Sequence, residues 1–526
     1  MEKSKEGVFK IMSHRKNLRF KLVAESTVIG ALVGVIIVLN RLIINKLFPI
    51  FLKFYETSKG NIFGVIKVFF ILIILGLFVG FLVRKEPMIS GSGIPQVEGI
   101  LMRKINIKWI RVLIYKFIGG TISLSAGLSV GREGPSVQMG AAVAEGFSKT
   151  LKRVNIEEKF LITSGASAGL SAAFNAPLSG VIFALEEVHK NFSPLVLLSA
   201  MAASLTADFI CKEFLGISPA MEFNNVGIVD LKYYWILILL GITVGITGII
   251  FNKGILVSQN VYRKMTKVPI EIKVMIPFVF TGIIGMTFPV LLGGGHELIM
   301  NLVFRGFTLK VLILFLALKY IFTLVSFGSS LPGGIFFPLL VLGALVGNIF
   351  GVIVCNIFGI PNNLIVNFII LAMAGHFASI VRAPITGIIL ITEMTGSFEH
   401  LLALAVVVII SYLTADLFRL EPIYESLLDR ILKKNNISNK TSCGRKTLLE
   451  IAVYMGCLVE GKYIKEIEWP NKCLLVAIKR GDKEFIPRGG NKIQSGDFLV
   501  VLVDEDEAST ILEELQLLTS KIQVNL

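Results

Sequence analysis

At positions 129–140 the sequence SVGREGPSVQMG sets Arg132 and Glu133 side by side inside an apolar region, fenced by Gly131, Gly134 and Pro135. Charged residues at bilayer depth are costly and are usually retained for function. Proline is favoured at the first helical position, and glycine lets backbone approach a ligand closely. The spacing therefore predicts a helix that starts within the apolar region. Its first N–H groups have no intrahelical acceptors and carry roughly half a unit of positive charge. Such a start can hold an anion without a fixed cation. A carboxylate placed there competes with that anion, and protonation releases it, so Glu133 links anion occupancy to proton occupancy. A plain Arg132–Glu133 salt bridge is the alternative, although adjacent side chains rarely face each other.

The same Gly-x-x-x-Pro spacing occurs five times, at 91–95 (GSGIP), 131–135, 285–289, 328–332 and 334–338 (GIFFP). Composition alone predicts about one or two. Taken singly, each is equally well explained as a kink that helps helices pack. A second acidic pair, Glu186 and Glu187, closes the apolar run APLSGVIFALEEVHK. There the plain alternative is a solvated helix end with Glu186 paired to Lys190 at i+4. GASAG at 165–169 matches a nucleophile elbow, but no strand precedes it and small-residue packing explains it better. The histidines lack metal spacing, and no phosphate-binding glycine loop is present.

The elements that must position these residues are membrane helices. Of 526 residues, 54% are hydrophobic and only 17% charged, with a mean hydropathy of +0.76. That is the composition of a polytopic membrane protein. Apolar runs fall at about 22–50, 62–83, 110–130, 231–251, 274–293, 308–327, 335–360, 363–381 and 399–418. The first is too long and too late for a signal peptide. The net charge of +15 is spread between these runs, not gathered on one face, so nucleic acid is not an expected partner. Lys10, His14, Arg15, Lys16, Arg19 and Lys21 precede the first run, and Arg430, Lys433, Lys434, Lys440, Arg445 and Lys446 follow the last. The positive-inside rule then puts both termini in the cytosol. Five scattered cysteines give neither a disulfide framework nor zinc spacing.

The membrane region repeats itself. LTADFI at 205–210 returns as LTADLF at 413–418, and NAPLSGVIFALEE at 175–187 as RAPITGIILITEM at 382–394. YKFIGG at 115–120 is echoed by LKYIFT at 318–323, and GSG at 91–93 by GGG at 293–295. Order and near-constant spacing argue for duplication, an arrangement in which transporters form their sites at the repeat interface. The mate of Glu186 is Glu393, whereas Glu187 aligns with Met394, so the second acid belongs to the first half alone. A duplicated structural residue fits Glu186. Beyond Glu421 the chain turns charged and helical, then reads as a small domain over 446–526. CLLVAIKR and DFLVVLVDE look like strands, Gly481-Asp482 like a hairpin turn, and EDEASTILEELQLL like a closing helix. A domain of this size is marginal unless it pairs with a copy of itself.

GSGIP, GREGP and GGIFFP, in this order and spacing, resemble the signature motifs of the CLC family of chloride channels and chloride/proton exchangers. The resemblance covers roughly residues 20–435. It implies an all-α fold of two inverted repeats, halves about 22–212 and 231–420, with tilted and partial helices and a final helix near 422–435. A cytosolic segment of about 1–21 precedes them. It also implies a homodimer in which each subunit has its own pore. Carried over by motif, Ser92 and Tyr424 meet the central chloride with the backbone N–H groups of Ile335 and Phe336. Backbone N–H groups around Arg132 to Gly134 form an outer site where Glu133 acts as the gate. Glu187, with Glu186 beside it, falls where exchangers place an internal proton-transfer glutamate. Ser92 is the serine associated with chloride over nitrate.

The tail resembles the RCK C-terminal (TrkA-C) domain, an α+β regulatory module. Such tails often dimerise and bind a small ligand, sometimes a nucleotide, which nothing in this sequence identifies. The resemblance implies an antiporter exchanging chloride for protons in a bacterial or archaeal inner membrane, without cofactor, metal or enzymatic activity. A passive chloride channel gated by Glu133 is the runner-up. A cation-transport subunit would need a TVGYG-like filter, which is absent, and a hydrolase using Ser167 would need an activating base.

Overall fold

The computed structural model describes residues 2–219, 221, 223, 227–434, 446–481, 483–504 and 508–519. Lys440, Cys443, Arg445, Asp482 of the expected hairpin turn and the acidic start of the closing helix at 505–507 lie outside these residues. The chain divides into two compact units, 1–431 and 432–526.

The first unit is helical throughout, and the chain is a multi-pass membrane protein. Among the described residues, eight helices are long and apolar enough to cross a membrane. They include Leu18–Ser58, which extends beyond its apolar run of 22–50, and Pro194–Leu215, which is not among the expected runs although it is as apolar as Ile270–Thr287 and helical over its whole length.

Two further helices, Glu133–Thr150 and Asn155–Phe174, rich in Gly, Ala and Ser, escape hydropathy. Most of their residues are buried, and they pack on each other through glycine. A Cβ on Gly140 would stand 2.1 Å from the Gly165 carbonyl oxygen, and one on Gly169 would stand 2.2 Å from the Ser136 carbonyl oxygen. Helices within a bilayer gain little from apolar contact with one another, because lipid is equally apolar, and so rely on such close approach. GASAG sits inside this contact, with the Ser167 hydroxyl 2.7 Å from that of Ser204. It is a packing seam and has no elbow geometry.

The duplication read from sequence is visible in detail. Gly93 and Gly295 cap the short helices Ile94–Leu101 and His296–Phe304 with φ of +98° and +106°, a region that favours glycine. In each half a fully buried lysine holds the loop in front of that helix. Lys116 Nζ donates to the carbonyls of Ile89 (2.8 Å) and Gly91 (2.7 Å), and Lys319 Nζ to those of Leu291 (2.8 Å) and Gly293 (2.7 Å). Both lysines sit in the echoed segments YKFIGG and LKYIFT. An interior without water would otherwise leave these carbonyls unpaired.

The second unit contains a four-stranded antiparallel sheet of β1 (Lys446–Ala452), β2 (Cys473–Arg480), β3 (Lys483–Phe485) and β4 (Asp497–Asp504), in the order β1-β4-β2-β3. The helix Ala508–Thr519 covers one face, where Ile511 and Leu515 pack with Ile451, Ile478, Leu499 and Val501. Buried Asp497 accepts from Arg480 Nε (2.7 Å) and from its Nη2 (2.8 Å), tying β2 to β4. β1 went unread in the sequence, because TLLEIA alternates too weakly to separate a strand from the charged linker before it.

Substituting Gly140→Val should lower the thermal midpoint in detergent, with a loss of roughly 1–3 kcal/mol for an overpacked contact. Gly306→Ala, where a Cβ would meet nothing within 4 Å, should leave the midpoint unchanged.

Candidate functional site

Three irregular segments converge between the two halves of the first unit: 91–93, 127–132 and 331–335. They satisfy one another through backbone. Gly131 N–H donates to the Gly334 carbonyl (2.7 Å), and Gly334 N–H donates back to that of Gly131 (2.8 Å). Gly91 N–H donates to Leu331 (3.0 Å), and Gly333 N–H donates to Gly91 (3.1 Å). This pairing leaves the helices Glu133–Thr150 and Phe336–Phe358 starting next to each other, deep in the protein. Their first N–H groups lack intrahelical acceptors. Two helix starts thus lie side by side, an arrangement that favours negative charge at their ends.

Glu133 is the first residue of its helix and only 1% exposed. Its carboxylate turns back over Gly131, where Oε2 lies 2.1 Å from the point a Cβ would occupy. The backbone N–H groups of Glu133 itself and of Phe337 face this carboxylate, and Oε2 is buried without a hydrogen-bond partner among the described residues. Arg132 caps the helix through its backbone. Its guanidinium is an electrostatic neighbour of Glu133, without a direct ion pair between the two. Gly134 makes room for Ser92, because a Cβ there would stand 2.2 Å from Ser92 Oγ. Tyr424, fully buried, turns its hydroxyl toward Ser92. Both hydroxyl oxygens are buried, and neither has another hydrogen-bond partner among the described residues. Ile335 and Phe336 are fully buried, and the Phe336 ring is wedged against Phe377 (4.7 Å between centroids) and Phe174 (5.2 Å).

The acidic pair at 186–187 is split by the fold. Glu187 lies in a five-residue π-helical turn, Ala184–Val188, which widens the helix and re-aims its side chains. It is 4% exposed, and its Oε1 has no hydrogen-bond partner among the described residues. Glu186 is engaged elsewhere. Its carboxylate accepts from the N–H groups of Ile385 (3.1 Å) and Thr386 (2.8 Å) and from the Thr386 hydroxyl (2.7 Å). Its mate Glu393 does the same for Leu178 (3.0 Å) and Ser179 (2.7 Å from the N–H, 2.5 Å from the hydroxyl). Each half therefore caps the short helix of the other, Pro177–Phe183 and Pro384–Thr395. Lys190 does not pair with Glu186. It forms an ion pair with Glu425, the residue after Tyr424.

Comparison with known proteins follows the same residues. Residues 75–416, which hold GSGIP, GREGP and GGIFFP, match the family model described as voltage gated chloride channel. The chain belongs to this family. Residues 448–516 match the TrkA-C domain. A relative from Vibrio parahaemolyticus, described as the H(+)/Cl(-) exchange transporter ClcA, is 31% identical over 80% of this chain and 92% of its own length. The protein of that description from Salmonella typhimurium is 34% identical over 70% of this chain and 79% of its own. Among solved structures, that of a slow cyanobacterial Cl-/H+ antiporter is 29% identical and superposes with a TM-score of 0.75, covering 79% of this chain and 99% of that one. A CLC-type fluoride/proton antiporter, 22% identical with a TM-score of 0.63 over 77% of this chain and 97% of that one, shares the fold. Tyr424 lies outside the matched family segment, and the fold alone brings it to Ser92.

Sequence reasoning missed the N–H of Phe337, the loop-holding lysines and the Lys190–Glu425 pair. The lysines carried a signal, since they recur at the repeat spacing. The ion pair carried none, because 235 positions separate its members. Replacing Glu186 or Glu393 by alanine should cost about 1.5–3 kcal/mol in each case, the worth of hydrogen bonds to a charged acceptor. Similar falls in the two thermal midpoints check the reciprocal capping.

Proposed function

We propose that the chain is a secondary-active transporter, not an enzyme, and that it exchanges chloride for protons. The observation that carries this reading is the Glu133 carboxylate, held where two helix starts create an anion site. Chloride and the carboxylate seek the same N–H groups, so one enters as the other leaves. A protonated Glu133 has little claim on those donors and withdraws. Chloride, once bound, is met by the Ser92 and Tyr424 hydroxyls and by the N–H groups of Ile335, Phe336, Arg132 and Gly134. The names of the relatives from Vibrio and Salmonella and the cyanobacterial antiporter fold support this substrate pair.

Glu187 supplies the second proton station, from the cytosolic side. It is buried and outside the hydrogen bonding that occupies Glu186, which leaves its carboxyl free to gain and lose a proton. Glu186 is assigned the capping role. The reading places the protein in a prokaryotic inner membrane as a homodimer, with both termini in the cytosol. The segment 1–21 leads into the membrane domain, and the tail of 446–526 acts as a regulatory module that dimerises or binds a small ligand. No cofactor takes part.

Reconstituted in liposomes with chloride and pH electrodes, the protein should use a chloride gradient to drive protons uphill. Glu187→Ala should abolish the proton flux while chloride still moves, and Glu133→Ala should give chloride movement that ignores pH. A wild-type reversal potential independent of the proton gradient would instead identify a passive channel.

A further inference from the structure

One buried acid has no part in the scheme above. Glu98 lies on the short helix Ile94–Leu101, which opens just after Ser92, about 6 Å along the axis from its first residue at 1.5 Å per residue. Its side chain is 0% exposed, and neither oxygen has a hydrogen-bond partner among the described residues. Among the described residues, its carboxylate caps no helix and forms no ion pair. An apolar side chain of similar length would fill the volume at lower cost, since an ionised carboxylate in such a place loses several kcal/mol of hydration.

The charged groups around it are few and specific. Glu98 faces Lys190, Glu425 and Glu187. Glu187 in turn faces Glu98, Lys190, Glu425 and Glu186. The Glu186 carboxylate is taken up by the N–H groups it caps, and Lys190 and Glu425 pair with each other. That leaves Glu98 and Glu187 as two carboxyls facing each other with no cation of their own. Like charges so placed do not both ionise, and the two titrate as one unit. The Tyr424 hydroxyl is an electrostatic neighbour of Glu187, Glu98 and Glu133 together, so Glu98 lies in the region that joins the two proton stations. The Lys190–Glu425 pair is partly exposed, at 28% and 34% of the side chains, and marks the wet end of the cluster.

We propose that Glu98 is a second proton-carrying carboxyl of the exchange cycle, acting as a pair with Glu187 behind the Lys190–Glu425 ion pair. The inference rests on the chloride/proton reading above. A proton from cytosolic water converts the Glu187 carboxylate to the acid. With both carboxyls protonated, Glu98 passes its proton on toward Glu133 and becomes the carboxylate; transfer from Glu187 to Glu98 then restores the Glu187 carboxylate. Each transfer breaks one O–H bond and forms one, with no other reactant. The pair holds one negative charge at most while the proton is in transit, and Lys190 is the cation nearest to offset it.

The test is the full-length protein in liposomes, with chloride and proton fluxes recorded together for the wild type, Glu98→Gln, Glu98→Asp and Lys190→Met. Glu98→Gln keeps the shape of the neutral acid but cannot exchange the proton. It should lower proton flux about tenfold or more, as loss of a proton-transfer group does, with chloride flux close to the wild type. Glu98→Asp should recover a large part of the proton flux, which a purely structural role would not require. A Glu98→Gln protein with the wild-type ratio of protons to chloride overturns the proposal. Should that variant fail to fold, Lys190→Met takes its place: a reduced proton-to-chloride ratio supports the pair, and an unchanged one overturns it. A wild type that moves no protons uphill would instead defeat the exchange reading on which the proposal stands.

Discussion

The structure depends on one constraint: backbone N–H and C=O groups buried in a membrane protein must find partners within the protein. Helices interrupted at mid-depth break that rule locally, and here the breaks in one half are repaired by the other. Gly131 and Gly334 exchange both their hydrogen bonds. Gly91 accepts from Gly333 and donates to Leu331. Once these loops are pinned, the N–H groups left over are those of the helix starts. In the proposed function, these are the groups that the protein leaves to its ligand.

Charge serves the same accounting. Lys116 and Lys319 are fully buried cations, yet neither meets an acid; each takes two carbonyls. Glu186 and Glu393 are acids that meet no base at contact; each takes two N–H groups and a hydroxyl across the repeat boundary. These four residues hold the frame by charge-assisted hydrogen bonds. Glu133, Glu187 and Glu98 stand apart: among the described residues each has a buried oxygen without a partner, and none has the ion pair that holds Glu25, Glu145 and Asp208. An acid outside the ion pairs and caps that hold the frame can change its protonation state without breaking them.

Burial also explains which elements were legible. Long apolar helices facing lipid announce themselves, as in Ile62–Lys85 and Leu309–Gly328. Central helices such as Glu133–Thr150 face other helices and are built of Gly, Ala and Ser, so hydropathy passes over them. The neighbouring acids Glu186 and Glu187 read alike in sequence. Only the π-helical turn, which sends one side chain to the opposite half and the other inward, separates their uses.

From the sequence alone came the membrane class, the duplication, the helix starts at GREGP and GIFFP, and Glu133 as an acid set among anion-seeking N–H groups. These follow from residue type at short spacing, which local physics governs. Tertiary structure decided what spans more than a hundred positions: the pairing of Gly131 with Gly334, the approach of Tyr424 to Ser92, the capture of Glu186 by Thr386, and the meeting of Glu98 with Glu187. The physical reason is that an unpaired group in the interior takes whichever partner the packing brings. Spacing along the chain does not encode that choice.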